Sequence, residues 1–126
     1  MATILVVEPD VLIRLVISDY LRGCGYRVIE AGTSDEAMTV LGSELEVHVV
    51  FAEVHGVGSR DGFSLARSIR ESHPDIDVIL TSSITNASEK AGELCEDGLM
   101  SKPYQHEEIA RHIKMLRERR RSSKRS

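Results

Sequence analysis

The sequence predicts an α/β fold, in which a five-stranded parallel sheet is covered by helices on both faces. Five short runs of β-branched and aliphatic residues alternate with longer amphipathic segments, an order typical of strands joined by crossover helices. The first run, Thr3–Val7, is continuous and does not alternate with charged residues, as expected for a strand buried on both faces. The chain has 126 residues, which suits one domain with a substantial core.

Local patterns place the first strand and the first helix. Thr3–Val7 is predicted as a strand because it is a continuous β-branched and aliphatic run. Asp10 can act as the N-cap of a helix that begins near Val11, and apolar residues then recur at helical spacing. Gly23 and Gly25 are expected to end this helix, because glycine readily adopts the backbone conformation that follows a helix C-terminus.

A second strand, a second helix and a third strand follow. Arg27–Ala31 is predicted as a strand, and Thr33–Glu36 has the sequence of a capping box that opens a helix. The apolar face of this helix is predicted to reach Leu45. The third strand is predicted over Val47–Glu53, so that it ends on a carboxylate.

The second half of the chain predicts two more strands and three helices. A helix is expected from Gly62 to about Ser72, and Asp77–Ser83 is predicted as the fourth strand. Ile84–Glu96 has only a thin apolar stripe, so we expect a short or mobile helix there. A brief fifth strand is predicted over Gly98–Ser101, and a last helix is predicted from about Gln105.

The two cysteines, Cys24 and Cys95, are far apart in the sequence and have no metal-binding spacing. We interpret them as small buried hydrophobic residues rather than as a disulfide or a redox pair. No apolar stretch has the length of a membrane span, and the N-terminus has no signal-peptide pattern. These observations predict a cytoplasmic protein.

The formal net charge of −4 conceals a basic C-terminus. Residues 116–126 contain six Arg and Lys residues and one Glu, so they carry +5 and residues 1–115 carry −9. We predict a domain over residues 1–117 and a basic tail over residues 118–126. The tail is interpreted first as a solvated helix end. The other two interpretations are that it contacts an acidic partner or that it contacts nucleic acid. Against nucleic acid, the tail has no aromatic residues to stack on bases.

Polar residues lie at the carboxyl ends of four of the predicted strands. Glu8 and Asp10 follow the first strand, and Glu53 ends the third. Ser82 lies near the end of the fourth strand, and Lys102 follows the fifth. The carboxyl ends of parallel strands meet at one edge of a sheet, where carboxylates can hold Mg²⁺ and where a lysine or hydroxyl can contact a phosphoryl oxygen. This set of residues predicts a site that handles a phosphoryl group through metal and charge.

From Ile4 to about Leu116, the chain resembles the receiver domains of two-component response regulators. The resemblance rests on the segments "ILVVEPD", "VVFAEV", "DG" at Asp61 and Gly62, "VILTSS" and "KPY". It implies a flavodoxin-like, doubly wound five-stranded sheet of strand order 2-1-3-4-5. It also implies a place in a phosphorelay, where a sensor histidine kinase transfers a phosphoryl group to the receiver.

The resemblance assigns a role to each residue at the sheet edge. The phosphoacceptor is an Asp at the position of Glu53, and Mg²⁺ is held by that residue and by a pair of acids after the first strand, of which Glu8 is the first. The hydroxyl of Ser82 contacts the phosphoryl group, and Lys102 bridges to it.

Two positions depart from the receiver pattern. Glu53 replaces the Asp, and its extra methylene moves the carboxylate about 1.5 Å further out, which disturbs a positioned attack. Pro9 stands at the second acidic position, which usually supplies a metal ligand. The adjacent Asp10 can replace that ligand only in part. We therefore predict an atypical receiver in which Mg²⁺ binding is weak or absent.

Three functions remain open from the sequence. The first is a stand-alone receiver that acts as a protein-interaction module without ordinary phosphorylation and is not an enzyme. The second is a Mg²⁺-dependent phosphoacceptor for a histidine kinase. The third is a binder of an acidic partner or nucleic acid through the tail. No membrane partner is expected, and the resemblance also implies a homodimer through the fourth and fifth helices.

Overall fold

The computed structural model describes residues 2–54 and 62–98 of the chain. Within these ranges, four strands alternate with four helices. The elements are β1 (Thr3–Val7), α1 (Val11–Gly23), β2 (Arg27–Ala31), α2 (Ser34–Leu41), β3 (Val49–Glu53), α3 (Gly62–Ser72), β4 (Asp77–Thr81) and α4 (Ile84–Gly98).

The four strands form one parallel sheet of order β2-β1-β3-β4. This is an α/β sheet of the flavodoxin-like type, as the sequence predicts. Gly98 belongs to α4 and not to a fifth strand. The rest of the predicted fifth strand and the helix from Gln105 lie outside the described residues.

Side-chain caps fix the beginnings of the first two helices. The Oδ1 atom of Asp10 accepts hydrogen bonds from the backbone N–H groups of Leu12 (2.9 Å) and Ile13 (3.2 Å), so the predicted N-cap is confirmed. At α2, Thr33 Oγ1 accepts from the N–H of Glu36 at 3.1 Å. The Glu36 carboxylate bonds the N–H of Gly32 rather than that of Thr33. The capping box is therefore formed with a shift of one residue.

The sheet separates two apolar layers, one on each face. Alternate residues of β1 serve the two layers, because successive side chains of a strand point to opposite faces. One layer joins Ile4 and Val6 to α1 and α4, and the other joins Leu5 and Val7 to α2 and α3. The helices α1 and α4 therefore share one face of the sheet.

Helix α2 is shorter than predicted. It ends at Leu41, and the backbone N–H of its C-cap, Gly42, bonds the carbonyl of Met38. Leu45 consequently lies beyond the helix and is 56% exposed, so its predicted place on the apolar face is wrong. The helix thus ends before the apolar spacing does.

Helix α4 is longer than predicted. It has 15 residues and runs to Gly98, so the expectation of a short helix is wrong. Ala87, Ala91 and Cys95 are buried, which shows that small residues make its inner face. A hydrophobic pattern built mainly from large side chains misses such a face.

The cysteines are buried as predicted, but the interpretation that they do not form a disulfide is wrong. Cys24 and Cys95 form a disulfide that joins the C-cap of α1 to α4. Their Cα atoms are 5.4 Å apart although 71 positions separate them in sequence, and each residue is 1% exposed. The pairing depends on the packing of α4 against α1, which sequence spacing does not reveal. In the described part of the chain, no helix is both long and apolar enough to cross a membrane.

Candidate functional site

A cavity of about 190 Å³ lies at the carboxyl ends of β1, β3 and β4. It is closed on its sides by the first turn of α1 and the first turn of α4. Its described lining residues are Glu8, Ile13, Glu53, Thr81, Ser82, Ser83 and Ala87. Three of the five residues singled out from the sequence, Glu8, Glu53 and Ser82, are therefore brought together.

Glu53 is the last residue of β3, and it lies opposite Thr81, the last residue of β4. Thr81 is 2% exposed, and its hydroxyl is 3.4 Å from the carbonyl oxygen of Ala52. The next peptide bond continues the pairing, because the N–H of Val54 donates to the carbonyl of Thr81 at 2.8 Å. The backbone beside Glu53 is therefore held tightly against β4.

Thr81 is a cavity residue that the sequence analysis missed. Sequence reasoning extended β4 to Ser83 and selected Ser82, whereas the strand ends at Thr81. The signal that could have found Thr81 is its position as the last residue of the apolar run. Ser82 also lines the cavity, but it is exposed and lies beyond the strand.

The side chain of Glu8 turns back along its own loop. Its Oε2 atom accepts a hydrogen bond from the N–H of Asp10 at 3.0 Å. The backbone carbonyl oxygen of Glu8 accepts a hydrogen bond from Arg14 Nη1 at 2.9 Å. The Nε atom of Arg14 is 3.4 Å from the Glu30 carboxylate. Arg14 thus connects β2 to the loop that carries Glu8. The sequence analysis did not select this arginine, because its two contacts come from different elements.

Asp10 is held as a helix cap. Because its Oδ1 atom accepts from two backbone N–H groups at the start of α1, that oxygen is already engaged. Asp10 does not line the cavity that Glu8 and Glu53 share. Within residues 2–54 and 62–98, no group of three His, Cys, Asp or Glu residues could hold a metal ion. The described carboxylates at the cavity are thus Glu8 and Glu53, two of the acids to which the resemblance assigns Mg²⁺.

The first turn of α4 forms the wall beside β4. Ser83 Oγ accepts from the N–H of Asn86 at 3.0 Å, and the Asn86 side chain accepts from the N–H of Ser82 at 3.0 Å. The carbonyl of Ser83 accepts from the N–H of Ala87 at 2.8 Å. This is a reciprocal cap in which Asn takes the place of the usual Glu or Gln. The positions of both serines are thus tied to the start of α4.

Gly62 packs directly behind Glu53. A Cβ atom at Gly62 would lie 2.7 Å from the carbonyl oxygen of Glu53 and 2.7 Å from the Cα of Val54. The N–H of Gly62 donates to the carbonyl of Val54 at 3.0 Å, which brings the start of α3 against the end of β3. Only a residue without a side chain permits this approach.

The described lining of the cavity is acidic and hydroxylic. Glu8 and Glu53 supply carboxylates, Thr81 and the two serines supply hydroxyl groups, and Ile13 and Ala87 supply apolar wall. A smaller space of about 10 Å³ continues below it between apolar side chains that include Ile17 and Phe51. Lys102, the predicted cation of the site, lies outside the described residues.

The strand order and the acids at the carboxyl edge define a flavodoxin-like α/β protein with a site at its switch point. Residues 4–114 match the family described as response regulator receiver domain, and the chain belongs to this family. Members of this family are signalling modules of two-component systems.

Relatives of known identity differ widely in length. The sensor kinase CckA of Brucella abortus (strain 2308) is 32% identical over 123 residues, which cover 94% of this chain and 13% of the kinase. The probable transcriptional regulator ycf27 of Cyanophora paradoxa is 27% identical, with coverage of 90% and 47%. The two-component response regulator ORR5 of Oryza sativa subsp. japonica is 28% identical, with coverage of 86% and 83%. The chain thus spans less than half of the first two relatives.

Solved structures show the same fold. The BeF3-activated DrrB receiver domain superposes with a TM-score of 0.58 at 28% identity and covers 94% of this chain and 98% of its own. The complex of histidine kinase ThkA with response regulator protein TrrA contains a chain with a TM-score of 0.60 at 25% identity. That match covers 67% of this chain and 71% of the other.

Proposed function

We infer that this receiver domain acts in a two-component phosphorelay by binding other proteins and that it does not accept a phosphoryl group in the ordinary way. The observation that carries this proposal is the position of Glu53. It ends β3 and faces the shared cavity, where the family resemblance expects the phosphoacceptor Asp. A glutamate there already places a negative charge in the cavity without phosphorylation, although one carboxylate carries less charge than a phosphoryl group.

The acids of the first loop support the same function. Receiver domains generally bind Mg²⁺ at the phosphorylation site, but here Pro9 occupies one acidic position and Asp10 caps α1. Glu8 bonds the N–H of Asp10 through one of its carboxylate oxygens. We therefore expect Mg²⁺ to bind weakly or not at all. In this proposal Thr81 is the hydroxyl next to Glu53, and Ser82 is a second hydroxyl at the rim.

The partner is proposed to be a sensor histidine kinase or another signalling protein of the cytoplasm. A solved relative at 25% identity is a response regulator in complex with a histidine kinase, which supports this class of partner. We further propose that residues 1–117 form the receiver, that residues 118–126 form a basic tail, and that the chain has no catalytic turnover of its own. A homodimer through the fourth and fifth helices remains part of the proposal.

Intact-mass measurement after incubation with acetyl phosphate and Mg²⁺ tests this function. The proteins to compare are the wild type, Glu53→Asp, and the double variant Glu53→Asp with Pro9→Asp. We expect no adduct on the wild type and an adduct that EDTA abolishes on the double variant. The single variant separates the two departures, because an adduct on it means that the added methylene of Glu53 alone prevents the reaction.

A Mg²⁺-dependent adduct on the wild type would contradict the proposal and make the chain a phosphoacceptor. The matched control is Glu53→Gln, which keeps the length of the side chain and removes its charge. If Glu53 supplies an activating charge, Glu53→Gln should bind the kinase or partner more weakly than the wild type does. Adding Mg²⁺ alone to Glu53→Asp should not give the binding of the wild type. Equal binding by the wild type and Glu53→Gln would show that this charge has no role.

A further inference from the structure

The C-terminal half of α4 is attached to the corner that follows α1. The Cys24–Cys95 disulfide links the two helices, and the hydroxyl of Tyr26 donates a hydrogen bond to the carbonyl of Leu94. Cys24 is the C-cap of α1, and the next residue, Gly25, has a φ of 101°, which turns the chain toward β2. The disulfide and the Tyr26 hydrogen bond therefore join α4 to the turn between α1 and β2.

Among the described side chains of α4, the remaining contacts with this face involve little apolar surface. Ala87 and Ala91 are the buried members of the apolar layer that α4 contributes, and Leu94 is partly buried against it. On α1 the same layer contains the larger Ile13, Ile17 and Leu21. Because apolar burial scales with area, two alanines hold a helix far less strongly than such side chains do. The covalent bond therefore carries an unusually large share of the attachment.

The other end of the same helix forms a wall of the candidate site. Ala87 lines the cavity, and the cap formed by Ser83 and Asn86 fixes the position of Ser82. Ala87 and Cys95 lie eight positions apart, which is about 12 Å along a helix. A change in how Cys95 is held is thus transmitted along one rigid element to the cavity.

We propose that Cys24 and Cys95 are a reversible redox site that controls the attachment of α4 to α1. In the reductive direction a dithiol reductant attacks the disulfide and forms a mixed disulfide, and its second thiol then resolves this intermediate. Two electrons and two protons pass to the protein, which gains two thiols while the reductant becomes a disulfide. In the oxidative direction a low-molecular-weight disulfide accepts the same two electrons and two protons. This inference goes beyond the proposed function and rests on it only for the cytoplasmic location.

Burial determines how the exchange proceeds. Each cysteine is 1% exposed, so a reductant reaches the sulfur atoms only when α4 moves away from α1. The described apolar contact of α4 with this layer comes from small side chains, so opening this helix exposes little of its own apolar surface. In a reducing compartment a protein disulfide is normally transient, catalytic or redox-sensing and not a permanent support. The site is therefore one that responds to the redox state of its surroundings.

Thiol counting and hydrogen exchange on the full 126-residue chain test the proposal. One sample is treated with oxidised glutathione and the other with dithiothreitol, and each is then unfolded and alkylated with N-ethylmaleimide. We expect no label on the oxidised sample and two labels on the reduced one. In native hydrogen exchange followed by mass spectrometry, peptides from residues 84–98 should exchange at least about tenfold faster after reduction. Peptides from β1 and β3 should change little.

The double variant Cys24→Ala with Cys95→Ala is the matched control, because alanine fills a buried position without adding a polar group. Its α4 peptides should exchange at the rate of the reduced wild type, with or without dithiothreitol. Reoxidation of the reduced wild type should restore slow exchange. The proposal is overturned if two thiols remain after treatment with oxidised glutathione, if α4 exchanges equally fast in both redox states, or if reoxidation does not restore protection.

Discussion

Thr81 lies opposite Glu53 in the pairing of β3 with β4, and both residues line the cavity at the end of the sheet. On this basis we propose that Thr81, and not Ser82, is the hydroxyl that acts beside Glu53. In the double variant Glu53→Asp with Pro9→Asp, we expect Thr81→Val to slow phosphoryl uptake from acetyl phosphate by roughly tenfold or more, because a hydroxyl group that lines the cavity is lost. The measurement is intact mass against time.

Ser82→Ala is the control for this prediction. Ser82 is exposed and belongs to the rim, so its loss should change the rate less than about twofold. Circular dichroism of both variants shows whether the fold is kept. A larger effect from Ser82→Ala than from Thr81→Val would indicate that Ser82, the residue chosen from the sequence, is the hydroxyl that contacts the phosphoryl group.

Gly62→Ala should lower the free energy of unfolding by about 1–3 kcal/mol, because the new methyl group overlaps backbone atoms of Glu53 and Val54. Urea denaturation measures this change. Gly42→Ala is the matched substitution, since the nearest atom to its Cβ is 3.4 Å away and the φ of Gly42 is −83°. It should alter the stability by less than about 1 kcal/mol. Equal effects at both positions would refute the close approach at Gly62.

Asp10→Ala should destabilise the protein by about 1 kcal/mol, because two backbone N–H groups at the start of α1 lose their acceptor. Asp10→Asn keeps an acceptor oxygen and should cost no more than about 0.5 kcal/mol. Thermal or urea unfolding of the two variants without added metal measures the difference. Identical losses from both substitutions would argue that the charge of Asp10, and not its cap, is what matters.

Reduction of the Cys24–Cys95 disulfide should lower the free energy of unfolding by roughly 4 kcal/mol, because the bond closes a long loop with a sequence separation of 71 in the unfolded chain. Urea midpoints with and without dithiothreitol measure the loss. The variant without both cysteines should be insensitive to the reductant. A wild-type midpoint that does not move would show that the bond contributes nothing to folding.

The elements built on local patterns were predictable from sequence. The bounds of β1 and β2, the cap of α1 by Asp10 and the convergence of Glu8 with Glu53 agree with the structure. Each depends on an apolar run or on a side chain that bonds its own neighbours, and such signals lie within a few residues of one another.

What sequence reasoning missed depends on contacts between distant segments. The disulfide joins residues 71 positions apart, and Arg14 connects a loop with a neighbouring strand. Thr81 was overlooked for a different reason, because the apolar run of β4 continues into two serines without a sharp boundary. An error of one or two residues at a strand end changes which hydroxyl is assigned to the last position of the strand.

The separation of the two apolar layers has a consequence for solubility. Among the described side chains, the layer formed by Leu5, Val50 and Leu65 with α2 and α3 contains none from α4, so it can stay intact when α4 moves away. Such a partly open chain would present Ile17, Leu21 and neighbouring side chains of the other layer to water. A contiguous apolar surface of this kind favours self-association. Light scattering that increases with protein concentration only after reduction would therefore indicate that α4 has moved away from the sheet.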